Sequence, residues 1–290
     1  MHTADLRSQS AMEYLMTYGW AILIIAVVLS VLFHLGVFSS GNFQPHAQAG
    51  SCQVSRTAAG VSLEGQCNGL LPEFVASFND YLSSGAIDRI SDSSFPSGSQ
   101  PVSVFAWIKS TQSATYPFIF NYGAYGVGEQ DWVLGMYSGQ ICSDSWGDHR
   151  CAGPLVDDGR WHFVGFTYAG GVTNTVVYVD GIAYTGVGSG TPSVVVGGST
   201  ISDIGGGANG GIINFTGSIA NVQIYNTSLS PAEANSLYLG GIGGAPIRPQ
   251  NLIGWWPLDG NANDYSGNNN NGQLNGVTFS SSWENGYTAP

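Results

Sequence analysis

The sequence is poor in charge, and lysine is almost absent from it. Only 9% of its 290 residues are charged, whereas soluble proteins carry about 25%. Lys109 is the only lysine, and seven basic residues face 19 acidic ones, which gives a net charge of −12. Because a surface of that sign repels phosphate backbones, the composition argues against nucleic-acid binding.

Metal-binding cysteine patterns are absent as well. The four cysteines form no C-x-x-C pair, and the histidines form no cluster with zinc-like spacing. An even number of cysteines in an exported chain predicts two disulfides. Three pairings are possible, and we favour the sequence-local pairs Cys52–Cys67 and Cys142–Cys151. Free buried thiols are the alternative.

One long segment lacks charge altogether. No Asp, Glu, Lys or Arg occurs between Glu13 and Arg56, and residues 14–38 are almost wholly apolar. At about 1.5 Å per residue, a helix of this length crosses the roughly 30 Å hydrocarbon core of a bilayer. Arg7 favours a cytoplasmic N-terminus, which places the rest of the chain outside. A secretory signal peptide is the alternative, although its apolar core is shorter, about 7–15 residues.

The residues before the apolar run carry a second signal. Glu13 places a carboxylate at the edge of an apolar helix, where it needs a partner. The stretch RSQSAME, from Arg7 to Glu13, resembles the class III signal sequence of type IV pilins, in particular the archaeal kind. The resemblance implies that a prepilin peptidase cuts between Ser8 and Gln9, which makes Glu13 the fifth mature residue.

The pilin resemblance also implies an assembly. In that family the new N-terminal amine, here that of Gln9, pairs with the Glu13 carboxylate of a neighbouring subunit inside a helical filament, because pairing relieves a stranded charge. The expected parts are a leader over residues 1–8 and a core helix over 9–38, which lies in the membrane before assembly. An ordinary uncleaved membrane anchor is the alternative.

The remaining chain has the pattern of an antiparallel β-sandwich. Residues 39–50 are small and polar and predict a linker. Residues 51–290 contain short alternating runs with turn signals between them. The strongest predicted strands are Trp161–Tyr168 and Thr175–Val179, and the turn Asp180-Gly181 follows the second of them.

The order of the motifs resembles the laminin-G-like/concanavalin A-like lectin–glucanase superfamily. The matching motifs are VFAWI at 104–108, DGRWHFV at 158–164, VYVDG at 177–181 and FTGSIANVQIY at 215–225, and then a helix that starts with the capping sequence Ser230-Pro231-Ala232-Glu233. The resemblance covers roughly residues 72–242. It implies a mainly β fold, an antiparallel jelly-roll sandwich preceded by one long hydrophobic N-terminal helix.

One segment departs from the order of that superfamily. Residues 252–279 look like the segment that opens such domains, yet they come last. We favour a circular permutation in which residues 254–258 pair back into the sandwich, because termini of such domains lie close together. The beginning of a lost second domain and donation of the strand to a neighbouring subunit are the alternatives.

Two kinds of polar site are predicted in the sandwich. Asp259, Asn261, Asp264 and Asn268 cluster in one turn-rich loop and are candidate calcium ligands, since hard cations take oxygen ligands. Stabilisation of turns by the same side chains is the alternative. The sequons Asn214-Phe215-Thr216 and Asn226-Thr227-Ser228 are predicted glycosylation acceptors in an exported protein.

Carbohydrate binding requires exposed aromatic rings, whereas glucanase activity requires paired carboxylates. The stacking candidates near predicted strand ends are Tyr116, Tyr122, Tyr125, Tyr137 and Trp146, and core packing is their alternative fate. The nearest catalytic candidate, Glu129-Gln130-Asp131, lacks the last glutamate of the E-x-D-x-E pattern of glucanases on this fold. We therefore expect a non-enzymatic filament subunit at the cell surface, displaying its sandwich for adhesion or carbohydrate recognition. A non-assembling anchored lectin and a surface glycoside hydrolase are the alternatives.

Overall fold

The structure, a computed structural model, describes fourteen stretches of the chain. They are residue 16 and residues 18–30, 55–57, 60–64, 71–79, 86–90, 94–113, 115–123, 130–145, 150–170, 175–185, 194–195, 202–206 and 214–290. The predictions for Ser8, Gln9, Glu13, Cys52 and Cys67 lie outside the described residues. Two compact units divide the chain, Met1–His46 and Ala47–Pro290.

The first unit contains a helix, α1, over residues 18–30. Residue 16 is helical as well, and the other positions of the predicted helix over 9–38 lie outside the described residues. Every described side chain of α1 is exposed, including Trp20 at 67% and Ile22 at 65%. Within the described part of the chain, no helix is both long and apolar enough to span a membrane.

The second unit is built from short antiparallel strands. Their bounds are β1 Ser55–Thr57, β2 Gly60–Glu64, β3 Val75–Phe78, β4 Ala86–Ile90, β5 Val102–Lys109, β6 Thr115–Gly123, β7 Asp131–Tyr137, β8 Gln140–Asp144, β9 Arg150–Leu155, β10 Trp161–Tyr168, β11 Val176–Val179, β12 Ile182–Thr185, β13 Ser202–Ile204, β14 Gly217–Tyr225, β15 Leu252–Trp256, β16 Gln273–Asn275 and β17 Thr278–Ser280. The strands predicted from the motifs at 104–108, 161–168, 177–179 and 217–225 are all present.

Two of the three sheets form the sandwich. The eight-stranded sheet has the order β12-β11-β10-β5-β14-β3-β17, and β15 also pairs with β14. The seven-stranded sheet has the order β16-β4-β13-β6-β7-β8-β9, and β1 and β2 pair only with each other. Each described strand pair in these sheets is antiparallel, which confirms the predicted fold class.

The eight-stranded sheet buries both of its faces. On β5, Val104, Ala106 and Ile108 belong to the core between the sheets, while Phe105 and Trp107 belong to a second apolar cluster on the outer face. Alternating residues of a strand point to opposite faces, so two covered faces require a continuously apolar strand. This explains why VSVFAWI alternates only in part.

The outer cluster is covered by a short helix, α2, over Pro231–Leu239, which was predicted from its capping sequence. The Ser230 backbone N–H donates to Glu233 Oε2 at 2.9 Å, and the Ser230 hydroxyl accepts from the Glu233 backbone N–H. Ala234 and Leu237 are the buried residues of α2 and pack into the outer cluster. The cap therefore fixes where the covering helix begins.

The C-terminal segment pairs into both sheets of its own sandwich. β15 pairs with β14, β17 pairs with β3, and β16 pairs with β4. Its adjacent tryptophans serve different layers, because Trp255 packs in the outer cluster and Trp256 in the core between the sheets. A Cβ at Gly254 would lie 2.2 Å from the Trp256 ring, so this strand needs glycine there. Of the three arrangements considered, pairing back into the same sandwich is the one seen.

Candidate functional site

A row of polar residues crosses the outer face of the seven-stranded sheet. Asp203 on β13 pairs directly with Asn121 on β6, Asn121 pairs with Val133 on β7, and Val133 pairs with Asp144 on β8. Directly paired residues lie on the same face. The neighbouring row contains Phe120 and Leu134, which point into the core. The polar row therefore faces outward.

Asp131 lies on the same face, because it precedes Val133 by two positions on β7. We name the polar side chains of this face the acidic cluster: Asn121, Asp131, Asp144 and Asp203. All four are buried, and their exposed fractions are 2%, 0%, 4% and 0%. Burying a carboxylate is costly unless the charge is compensated, and three of these four side chains are carboxylates. The Oδ1 atom of Asn121 is buried and has no hydrogen-bond partner among the described residues.

Two tyrosines lie on the same seven-stranded sheet, farther along its strands than the polar row. Tyr137 follows Val133 by four positions on β7, so it lies on the same face, and it is 45% exposed. The ring of Tyr116 lies 6.3 Å from that of Tyr137, and its edge packs against Phe118 at 5.4 Å. We name Tyr116 and Tyr137 the tyrosine platform. Of the predicted stacking candidates, Tyr137 is thus exposed and Tyr116 is half-buried, and stacking by either ring stays a prediction.

The backbone at the platform is strained. Tyr116 has a φ of +69°, a left-handed conformation that costs a bulky residue on the order of 1–2 kcal/mol. The register between β6 and β7 shifts between Thr115 and Phe118, and Tyr116 lies inside this irregularity. Strain of this kind collects at binding sites, where it aims a side chain that a regular strand would direct elsewhere.

A disulfide closes the edge of the same face. Cys142 on β8 pairs directly with Cys151 on β9, and the two are bonded, as predicted. Cys142 lies two residues before Asp144, which places it on the outer face beside the polar row. The bond ties the edge strand β9 to the strand that presents Asp144.

The prediction that Tyr122, which also lies on β6, stacks on a ligand is wrong. Tyr122 is 0% exposed and packs in the core, with its ring 5.3 Å from that of Phe95. Tyr122 follows Asn121 by one position, so it points to the opposite face. Tyr125 and Trp146 lie outside the described residues.

The outer face offers no continuation of a glucanase motif on β7. After Asp131, the next outward positions are Val133 and Gly135, and neither carries a carboxylate. Glu129 lies outside the described residues. The other carboxylates on this face come instead from other strands, as Asp144 on β8 and Asp203 on β13. Sequence reasoning missed this arrangement because it depends on pairing between strands that are distant in sequence.

The predicted calcium ligands lie in the loop after β15, away from the acidic cluster in sequence. The Asp264 carboxylate accepts hydrogen bonds from the backbone N–H groups of Trp255, Ser266 and Asn270, at 2.8–2.9 Å. The Asn268 amide donates to the Ile253 carbonyl at 2.7 Å. These contacts fasten the loop to β15.

The other two predicted ligands are also engaged. Asp259 Oδ1 accepts from the Phe74 backbone N–H at 2.7 Å, and Asn261 Oδ1 accepts from the Asn263 backbone N–H at 2.9 Å. The bond of Asn261 is one of turn stabilisation, the alternative given above, whereas that of Asp259 ties the loop to the residue before β3. Within the described ranges, no three His, Cys, Asp or Glu side chains are grouped to hold a metal ion. Calcium binding by the loop stays a prediction.

The two predicted glycosylation acceptors differ in accessibility. Asn214 is 8% exposed, and its carbonyl accepts from the Gln112 amide at 3.0 Å. Asn226 is exposed, and its side-chain Oδ1 atom accepts from the Asn251 amide at 2.9 Å. Only the second side chain stands where an attached glycan has room in the folded domain.

The comparisons with known proteins identify the superfamily. The family model named Laminin_G_3, described as the concanavalin A-like lectin/glucanases superfamily, matches residues 82–235, which is more than half of the chain. The chain belongs to this superfamily. Its predicted likeness to the laminin-G-like group is thereby confirmed, and the likeness of its N-terminus to type IV pilins stays a prediction.

Individual proteins of known structure or sequence are similar to this chain. A protein of Bacteroides ovatus ATCC 8483, named for an inferred role in carbohydrate binding, has a TM-score of 0.54 at 18% identity, covering 71% of this chain and 59% of its own. The heptameric SAP-like pentraxin of Limulus polyphemus has a TM-score of 0.46 at 15% identity, covering 61% and 84%. The "Sushi, von Willebrand factor type A, EGF and pentraxin domain-containing protein 1" of Rattus norvegicus is 26% identical over 137 residues, 45% of this chain and 4% of that protein. This chain thus spans only a small part of the length of that curated relative.

Proposed function

We propose that the sandwich is an extracellular carbohydrate-binding domain that uses the outer face of the seven-stranded sheet. The observation that carries the proposal is the tyrosine platform, in which Tyr137 is 45% exposed, on the same face as the buried acidic cluster. Tyrosine rings stack on the apolar faces of pyranose rings and add a hydroxyl for hydrogen bonding. Membership of a lectin-containing superfamily and a structural neighbour named for carbohydrate binding support it.

The charge of this face limits its ligands. The carboxylates of Asp131, Asp144 and Asp203 are buried, so direct contact falls to Tyr116 and Tyr137. The net charge of −12 and these carboxylates make the potential at the platform negative. We therefore propose a neutral saccharide as its ligand, held by stacking and by hydrogen bonds to its hydroxyl groups rather than by ion pairs.

A glycan array with the full-length chain in detergent tests this proposal. We expect neutral glycans to bind, and Tyr137→Ala to weaken binding about tenfold. Leu239→Ala is the matched control, because Leu239 is 61% exposed on the other side of the sandwich, at the end of α2. Unchanged binding by the Tyr137 variant would exclude the platform. A parallel arm with EDTA tests the proposed calcium in the loop that contains Asp259 and Asp264.

We also propose that the chain is a subunit of a type IV pilin-like filament. The described α1 residues expose a continuous apolar surface made of Tyr18, Trp20, Ile22, Leu23, Ile24, Ile25, Val27, Val28 and Leu29. A patch of that kind requires a cover, which a membrane supplies before assembly and neighbouring α1 helices supply afterwards. The class III signal resemblance around Ser8 and Glu13 adds a peptidase and an assembly contact.

Mass spectrometry of the mature chain and electron microscopy of the cell surface test the filament proposal. We expect a mature N-terminus at Gln9 and filaments that contain this chain. Glu13→Ala should abolish the filaments and leave glycan binding unchanged, because the two functions lie in separate units. An intact Met1 on a chain that stays in the membrane as single copies would favour the anchored lectin. Turnover of a polysaccharide would favour the hydrolase.

A further inference from the structure

A groove of about 360 Å³ lies at one end of the eight-stranded sheet, where β3 and β5 end and β14 begins. Ten described residues line it: Ser77, Phe78, Asn79, Lys109, Ser110, Thr111, Gly159, Thr216, Gly217 and Ser218. Six of them carry a side-chain hydroxyl or amide, one is lysine, and none carries a carboxylate. In a chain with 19 acidic residues and one lysine, this composition is unusual.

Strand pairing arranges these polar groups in a line. Lys109 pairs directly with Ser218, Ser218 pairs with Ser77, and Ser77 pairs with Thr278. Neighbouring strands lie about 4.8 Å apart, so the line extends about 14 Å across four strands. It begins with an ammonium group and continues with three hydroxyl groups. Asn79 extends it, since its side chain bonds to those of Ser77 and Thr278.

Several polar atoms in the groove keep the capacity to bind a ligand. The Lys109 ammonium group donates to the Asn285 carbonyl, and its other two N–H donors remain available. The Thr216 hydroxyl is buried and has no hydrogen-bond partner among the described residues. A Cβ at Gly217 would lie 2.2 Å from the Lys109 carbonyl oxygen, so the floor between these two residues is bare backbone.

Lys109 is the charged residue among the described residues that line the groove, and the charges beside it are paired with one another. Asp158 precedes the lining residue Gly159, and its carboxylate is held by His162 at 3.1 Å and by the Arg160 backbone N–H at 2.9 Å. Arg160 itself lies 3.8 Å from Asp158, which neutralises that neighbourhood further. An anion approaching this protein is repelled by most of its surface and meets a positive charge here.

We propose that this groove binds an acidic saccharide. Its carboxylate or sulfate group lies against the Lys109 ammonium group, and its hydroxyl groups bond along Ser218 and Ser77 and to Thr216. A volume of about 360 Å³ suits one or two sugar units. The site is separate from the tyrosine platform and does not depend on it, so the chain would hold two different saccharides on opposite faces of the sandwich.

Isothermal titration of the full-length chain in detergent with digalacturonate tests the proposal, and neutral galactobiose and sodium sulfate serve as comparison probes. We expect digalacturonate to bind at least tenfold more tightly than galactobiose, with an affinity that falls as salt is added. Lys109→Gln should remove this preference, and Lys109→Arg should keep most of it. Thr216→Val, which keeps the side-chain volume, should weaken binding about threefold without changing the melting temperature.

The controls separate this site from general charge effects and from the platform. Arg160→Gln removes an equal charge beside the groove and should leave the preference intact, and Tyr137→Ala should also leave it intact. Equal affinity for digalacturonate and galactobiose, or a preference that survives Lys109→Gln, would overturn the proposal. Sulfate that binds as tightly as digalacturonate would show a site for small free anions and would also overturn it.

Discussion

The two sheets use their outer faces in different ways. On the eight-stranded sheet, Phe105, Trp107 and Phe163 face outward and are buried with α2 and the last residues of the chain. On the seven-stranded sheet, the outward residues include Asn121, Asp144 and Asp203, which are buried but polar. Apolar burial stabilises the fold, whereas buried carboxylates do so poorly. The first face is therefore a second core, and the second face is where we place ligand binding.

The largest expected effect comes from removing an anchor of the second core. Trp255 is 1% exposed, and its indole N–H donates to Asn221 Oδ1 at 2.7 Å. Trp255→Ala should lower the free energy of unfolding by about 3–5 kcal/mol through the cavity it leaves, while Asn221 Oδ1 keeps its hydrogen bond from the Gln223 amide at 2.9 Å. Thermal unfolding followed by near-UV circular dichroism measures it. Leu155→Ala is the control, because Leu155 is 60% exposed. A similar loss in both variants would contradict a well-packed outer layer.

The loop after β15 supplies the next effect. Asp264→Ala removes the acceptor of three backbone N–H groups and should destabilise the fold by about 2–3 kcal/mol. Asp259→Asn is the comparison variant, since it keeps an oxygen for the Phe74 N–H. Both melting temperatures are measured with calcium and with EDTA. Stabilisation by calcium that disappears in both variants would show that the loop is a cation site.

Local chemistry made part of this molecule predictable from sequence. The capping box at Ser230 and the turn at Asp180-Gly181 depend on residues a few positions apart, and both are present. The acidic cluster was not predictable in the same way. Asp203 and Asn121 are 82 positions apart, and only the register between β13 and β6 places them side by side.

The tyrosine candidates show the same limit. Tyr116 and Tyr122 lie on one strand, and one is at the surface while the other is in the core. The irregular register between Phe118 and Phe120 separates them, because Phe118 pairs with the outward Gly135 whereas Phe120 pairs with the inward Leu134. Such a shift leaves no mark in a short sequence window, so the sequence favoured both rings equally.

A smaller effect on stability comes from the two carboxylate contacts of His162, which lies on β10. His162 Nδ1 lies 2.8 Å from Asp180, and Nε2 lies 3.1 Å from Asp158. Burial alone would lower the pKa of His162, but the two carboxylates outweigh it, so the pKa lies above its ordinary 6.5. The stabilisation is therefore complete below about pH 6.5 and is lost as the pH rises through the raised pKa.

His162→Gln tests this pH dependence. We expect a loss of about 1 kcal/mol near pH 6 that shrinks above neutrality. Burial alone would raise the pKa of Asp158, but the hydrogen bonds from the Arg160 backbone and from His162 outweigh it and hold that pKa below its ordinary 3.8. The contact therefore weakens again only at a pH below that value, as Asp158 protonates. Melting temperatures of both proteins from pH 4.5 to 9 measure the difference. A difference that stays constant across this range would mean that His162 acts only by packing.

The smallest expected change in stability comes from the face that we assign to binding. Tyr137 is 45% exposed, and its ring touches Tyr116 without entering either apolar cluster. Tyr137→Ala should therefore change the free energy of unfolding by less than about 0.5 kcal/mol while it weakens glycan binding. The same thermal unfolding experiment measures the first quantity. If this variant lost as much stability as Trp255→Ala, the tyrosine platform would be part of the fold, and the difference between the two outer faces would disappear.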